Sequence, residues 1–300
     1  MIATDSPPVD LVALRATVDA ALESFAGRYL GALDAPVAGA IRYSMLGEGK
    51  RLRAILLLSA YRAAGGSLDA SELAAAVEVV HAYSLVHDDL PCMDDDDVRR
   101  GRPTVHRACG VAAAAAAGLA MVPLAARAAA DACRALGLDD PTTGTIVRTL
   151  MQASGAGGMI GGQLLDLEGE GLSLSLEQLE RVHRLKTGAL ISASVRIGGL
   201  AAGAGATVRD AFDRYGAAVG LAFQIADDVL DVTATTDQLG KTAGRDAALQ
   251  KSTYPAILGL AGARARAGAL SDEACRALTR SGIASPSLEF LARFVVARES

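Results

Sequence analysis

Along most of the chain, apolar residues return every three or four positions. That spacing lays one stripe along an α-helix, unlike the strict alternation of a half-buried strand. It predicts helices over about 9–33 and 37–46, then from the basic turn at 47–53 through Ala64, and from Ser71 to about Asp89. Further helices are predicted over about 107–136, 142–155, 158–168, 176–202, 207–232, 250–268, 271–280 and 286–298. Between them lie a break at Asp34-Ala35-Pro36, a loop at Gly65-Gly66-Ser67, and Pro91, which biases Leu90 away from helix. The highly charged run 94–101 reads as a loop. Gly155-Ala156-Gly157-Gly158 and Gly161-Gly162 predict a kink or a close helix contact, because glycine inside a helix costs about 1 kcal/mol relative to alanine. No linker rich in proline, serine or charge divides the chain, so residues 1–300 read as one helical domain.

Composition narrows this picture. A chain that is 51% hydrophobic and 21% charged has enough apolar material for a core, which excludes bulk disorder. It is alanine-rich, lacks tryptophan and is only 4% aromatic, a composition that favours helix over strand. The expectation is an all-α protein. A net charge of -5 argues against a general nucleic-acid binder. Cys92, Cys109, Cys133 and Cys275 show no CxxC pair and no metal-ligand spacing, and so read as free thiols in a reducing cytoplasm. The N-terminus has no basic start followed by an apolar run, so it does not read as a signal peptide. Residues 111–126 carry no charge, but the run is shorter than the ~20 residues of a membrane span. It is expected to be buried in the bundle or at a subunit interface.

Two aspartate clusters carry the candidate chemistry. The first, His87 to Asp97, places six aspartates within ten residues, where they repel one another. The second, Phe223 to Asp231, lies in an apolar helical pattern. There Asp227 and Asp231 are four apart, and Asp228 and Asp231 three apart, so all three project from neighbouring parts of one helix face. Such carboxylates are costly unless a cation neutralises them, and no run of Lys or Arg lies beside them. Oxygen donors without His or Cys suit a hard divalent cation, with Mg2+ the natural candidate. The only lysines are Lys50, Lys186, Lys241 and Lys251, each in a segment flanked by Gly or Thr, and Arg99, Arg100 and Arg102 follow the first cluster. Acidic clusters for metal and dispersed bases for phosphate imply a diphosphate substrate, and the apolar helices imply that its other end is hydrocarbon.

In combination these segments resemble the trans-isoprenyl diphosphate synthases (the polyprenyl synthetase family), nearest to bacterial farnesyl diphosphate synthases. The likeness extends from about residue 9 to the C-terminus. It rests on Gly49-Lys50-Arg51-Leu52-Arg53, His81 through Pro91, Asp94 to Thr104, Gly161-Gly162-Gln163, Lys186-Thr187-Gly188, Phe223-Gln224 with its DDxxD, and Lys251-Ser252-Thr253-Tyr254-Pro255.

The resemblance implies an antiparallel helical bundle around a deep hydrophobic cavity (the isoprenoid synthase fold), with three Mg2+ ions at its mouth. Asp88, Asp94 and Asp227 would be direct ligands, while Asp89, Asp228 and Asp231 would ligate directly or through water. Arg99, Lys186 and Lys241 would hold the departing diphosphate, and Thr187 and Gln224 would stabilise an allylic carbocation. Lys50, Arg53, His81 and Arg100 would bind isopentenyl diphosphate, with Lys251 another diphosphate contact. Tyr83 and Ser84, just before the first motif, imply a stop at farnesyl diphosphate; geranylgeranyl or geranyl diphosphate is the alternative. A homodimer is also implied. Gln163 and Asp166 match a motif near the cavity. Ala54, Leu119 and Gln250 depart from the pattern. A terpene cyclase would carry a different second metal motif, and a non-catalytic regulatory subunit would tend to lose one; both aspartate motifs are intact here.

Overall fold

The computed structural model describes residues 9–233 and 251–298. The described residues form thirteen α-helices, one π-helical turn and one two-stranded hairpin. In chain order the first helices are α1 (Val9–Tyr29), α2 (Ala35–Met45), α3 (Leu52–Ala63) and α4 (Ser71–Asp88). The hairpin β1 (Val98–Arg99) and β2 (Arg102–Pro103) follows, then α5 (Val105–Cys109) and α6 (Val111–Ala135). Next come α7 (Asp140–Ser154), α8 (Met159–Glu168), α9 (Leu176–His183), the π-turn Arg184–Gly188 and α10 (Ala189–Ala201). The last three are α11 (Ala206–Thr233), α12 (Tyr254–Arg280) and α13 (Pro286–Ala297).

Local chemistry sets many of the boundaries. Asp139, Thr253 and Ser285 each accept a backbone N–H at a helix start, and each is followed by a proline within the first helical turn. Ser175 and Gln178 form a reciprocal capping box at α9. Four expectations change. The helix expected over 107–136 is split at Gly110, whose φ of 86° an alanine would resist. The loop at 94–101 contains β1 and the turn of the hairpin, Arg100 and Gly101, both at positive φ. The helix expected over 176–202 contains the π-turn. The predicted break between 268 and 271 is absent, because the Ser271 hydroxyl bonds the Ala292 carbonyl and does not cap a new helix. The chain bends at Gly259 instead.

The core runs through the whole bundle. Central α11 packs on α10, α12 and α13, with Phe212, Tyr215, Val219 and Ile225 fully enclosed. The buried Tyr215 hydroxyl donates to the Leu288 carbonyl at 2.7 Å, so a polar atom in the core is satisfied. Helix α4 packs on α6, largely through alanines, and α3 packs on α10. Helix α6 departs from expectation: with 25 residues it is long and apolar enough to cross a membrane, yet only 33% of its most apolar window is buried. Its inner face meets α2 and α4, while Leu119 on the outer face is 72% exposed.

Candidate active site

The first aspartate cluster forms where α4 ends. Asp94 N–H returns to the Asp88 carbonyl at 2.9 Å, which curls the loop back over the helix C-terminus. Asp89 is buried beneath this curl, and Arg99 grips it with Nε at 2.8 and 2.9 Å from its two carboxylate oxygens. Arg99 is therefore turned onto Asp89 by the hairpin. Asp88 has no such partner. Burial, with Asp94 and Asp89 adding to it, pushes its carboxyl up from 3.8 to about 6, against the pull of Lys186 and Arg99.

The π-turn sits opposite. It adds an extra residue to one helical turn, a device concentrated at functional sites, and here it carries Lys186 and the buried Thr187. Glycine admits it: a Cβ built on Gly162 of α8 would overlap the Lys186 backbone, which explains why the glycine-rich run allows a close contact. Lys186 Nζ and Lys251 Nζ both reach Asp166 Oδ2, at 2.7 and 2.8 Å. Burial alone would raise the Asp166 carboxyl, but the two ammonium groups overcome it and bring it to about 2. Desolvation works to lower Lys186, yet Asp166, Asp88 and Asp94 leave it raised. Lys186 thus lies within electrostatic reach of Asp88 and Asp94 in the first cluster.

The second cluster lies on α11. Asp228 and Asp231 are buried, and Asp231 Oδ1 has no hydrogen-bond partner. Asp227 bonds Arg298 at 2.6 Å, and the same guanidinium reaches the Phe223 carbonyl and covers the Phe223 ring at 3.9 Å. A cation therefore does lie beside this cluster, brought from 71 positions further along the chain. Gln224 stands one turn before Asp227 on α11.

A third group is basic. Lys50, Arg53 and Arg100 are all held below their ordinary values, first by burial and then by neighbouring cations: Arg298 and Arg100 act on Lys50, Arg100 on Arg53, and Arg99 and Arg51 on Arg100. Arg100 takes a left-handed backbone (φ 53°) to donate to the Glu48 carbonyl at 2.6 Å. Burial, reinforced by Arg53 and Arg100, drives His81 well below its usual range, so its imidazole is neutral at pH 7. Glu78, one turn before His81, is buried opposite Arg53 and its carboxyl is raised by burial. Asp227 lies within electrostatic range of both Lys50 and Arg53, which joins this basic group to the second cluster.

Tyr83 and Ser84 lie one turn and more before Asp88, both buried, with the Ser84 hydroxyl bonded to the His81 carbonyl at 2.8 Å. The Tyr83 ring packs 4.7 Å from His87, and His87 rests where a Cβ on Gly118 would collide with it. Leu119 therefore faces away from this wall. Ala54 is fully buried, while Lys241 and Gln250 lie outside the described residues.

The arrangement is two carboxylate groups and a basic group around the ends of α4 and α11, with the π-turn between them. Among the described residues no three His, Cys, Asp or Glu side chains gather closely enough to hold an ion by themselves. The donor set fits a hard divalent cation whose remaining ligands are water and phosphate oxygens, and the crowded Asp88 and unpartnered Asp231 Oδ1 lack such a partner.

Known proteins show the same arrangement of sequence. The family model described as Polyprenyl synthetase matches residues 35–280. The chain belongs to the polyprenyl synthetase family. This polyprenyl synthetase is 46% identical over 268 residues to the farnesyl diphosphate synthase of Escherichia coli, covering 88% of this chain and 89% of that protein. Among solved structures it resembles an FPP/GFPP synthase from Zymomonas mobilis, with a TM-score of 0.83, 32% identity, and coverage of 96% and 99% of the two chains. It also resembles the geranyltransferase from Helicobacter pylori, solved with magnesium and isoprenyl diphosphate, with a TM-score of 0.81, 31% identity, and 97% and 98% coverage.

Proposed function

We propose that this polyprenyl synthetase is a Mg2+-dependent prenyltransferase that condenses isopentenyl diphosphate with dimethylallyl or geranyl diphosphate to give farnesyl diphosphate. The observation that carries the reading is the placement of Lys186, between the carboxylates of the first cluster and the Asp166–Lys251 pair. A cation-rich, partly buried cradle of this kind stabilises charge that develops on a departing diphosphate.

The site residues then divide by their surroundings. Asp88, Asp94 and Asp227 would hold Mg2+ directly, with Asp231 Oδ1 a fourth available oxygen. Asp89 and Asp228, buried and with oxygens that already accept protein donors, would act through water or by orienting their neighbours, whereas Asp227, bonded by Arg298 only through Oδ1 and far more exposed, would offer Oδ2. When bound, Mg2+ supplies Lewis-acid neutralisation of the leaving diphosphate, and three ions would match the two clusters. Lys186 and Lys251 hold the allylic diphosphate, and Lys241 would join them. Thr187 and Gln224 present oxygens to the allylic cation. Lys50, Arg53, His81 and Arg100 bind the second diphosphate, whose hydrocarbon end supplies the attacking double bond. The cost of burying Lys50, Arg53 and Arg100 falls when an anion enters.

Incubation with isopentenyl diphosphate, geranyl diphosphate and Mg2+ should yield a fifteen-carbon product, and no metal-dependent condensation would defeat the proposal. Product length has its own test. Tyr83→Ala removes the ring beneath Asp88 and is expected to shift the main product to twenty carbons or more. Chromatography of the dephosphorylated products that shows only farnesol would remove Tyr83 from this role.

The exposed apolar face of α6 supports a homodimer, since leaving it in water wastes apolar surface. A sedimentation mass of one chain would overturn that assignment. The free cysteines fit a reducing compartment such as the cytoplasm.

A further inference from the structure

His183 is the last residue of α9, immediately before the π-turn, and is buried. Its Nε2 stands 3.1 Å from Asp228 Oδ2, and the Tyr254 backbone N–H donates to the same oxygen at 2.9 Å. The imidazole stacks on the Tyr254 ring at 5.8 Å between centroids. The Tyr254 hydroxyl donates to Glu180 at 2.7 Å, and Arg184 and Arg266 also bond Glu180. This network closes a ring from α9 through α12 to α11.

Two consequences follow from the donor arithmetic. An ionised carboxylate only accepts, so His183 contributes its Nε2 proton. With two protein donors on Oδ2, Asp228 keeps Oδ1 for a cation or its water. The residue that fixes Asp228 also lies three and four positions before Lys186 and Thr187. A shift in His183 therefore moves the second cluster and the π-turn relative to each other.

We propose that His183 is a positioning residue that holds the 227–231 cluster in register with Lys186 and Thr187, so that cation binding and diphosphate binding act as one unit. This rests on the reading of that cluster as a Mg2+ site. A histidine that merely fills space would be replaced by another ring without loss of metal binding.

The test uses Mn2+ and inorganic pyrophosphate, titrated by calorimetry without turnover. His183→Phe keeps a ring against Tyr254 and removes the donor, while His183→Gln restores an N–H near the same reach. His183→Phe is expected to weaken pyrophosphate-dependent Mn2+ binding about tenfold or more, as loss of an outer-shell partner does elsewhere. His183→Gln should recover most of it, and the KM for isopentenyl diphosphate should stay unchanged in both. Native-like Mn2+ binding by His183→Phe, with or without a lower Tm, overturns the inference, as does a His183→Gln variant as impaired as His183→Phe. If His183→Phe does not fold, His183→Leu serves as the donor-free variant with the same two readings. If the unaltered protein itself fails to bind Mn2+ with pyrophosphate, the metal reading of the cluster falls first, and this inference with it.

Discussion

Asp88→Asn is expected to lower the condensation rate by about a thousandfold while making the EDTA-treated protein more stable at pH 8. The loss of rate follows from removing a charged oxygen from the first cluster, which weakens the cation that neutralises the leaving group. The gain in stability follows from the cost of ionising Asp88 where it stands. Burial, then Asp94 and Asp89, raise its carboxyl from 3.8 to about 6 in the folded protein. Between those values the folded state binds more protons than the unfolded chain, so this group adds stability as pH falls from about 6 towards 4 and withdraws it above 6. Asparagine removes the penalty at pH 8, about 3 kcal/mol for a carboxyl raised from 3.8 to about 6, and removes little at pH 4. Calorimetry at the two pH values, together with kcat in Mg2+, checks both halves. A variant that is inactive but also destabilised at pH 8 would show that Asp88 is held by structure rather than poised for a cation.

Lys186→Met is expected to reduce kcat by about a hundred- to a thousandfold, the range seen when one preorganised stabiliser of developing negative charge is deleted. The methionine keeps most of the stem that packs in the π-turn. Asp166 keeps Lys251 at 2.8 Å, so its carboxylate is not stranded and the fold should survive. The KM for isopentenyl diphosphate should change little, because Lys50, Arg53, His81 and Arg100 form a separate group. Steady-state kinetics with geranyl diphosphate separate these effects. A kcat within tenfold of the unaltered protein would move the leaving-group role to Lys251 or Arg99.

Much of this was legible in the residues, for identifiable reasons. Helix α11 announces itself because its aspartates interrupt an apolar run at helical spacing, and α4 because its apolar run ends in an acidic cluster; both are local properties. Lys50 and Lys186 stood out because lysine is so scarce elsewhere, and Arg53, Arg99 and Arg100 because they sit in the basic turn or directly after the first acidic cluster. What escaped was set by contact over distance. Nothing near Asp227 foretells Arg298, which arrives from 71 positions away. The partnership of His183 and Asp228 spans 45 positions, and a lone histidine in an amphipathic helix carries no signal of it. The π-turn keeps the apolar rhythm of the helix it interrupts, so periodicity passes through it. Ser271 looked like a helix start because serine often caps, but a carbonyl on α13 claimed its hydroxyl. The uncharged run at 111–126 gave neither the 25-residue length of α6 nor its exposure, which depends on where α2 and α4 stop covering it.

The clasp of Arg298 on Asp227 and Phe223 also governs how the protein can be handled. An affinity tag, fluorophore or surface linker fused after Ser300 would begin three residues beyond a side chain that touches the second aspartate cluster. A polyhistidine extension there would bring strong metal chelators beside the carboxylates proposed to hold Mg2+. Assays of metal dependence are best made on protein without such an extension.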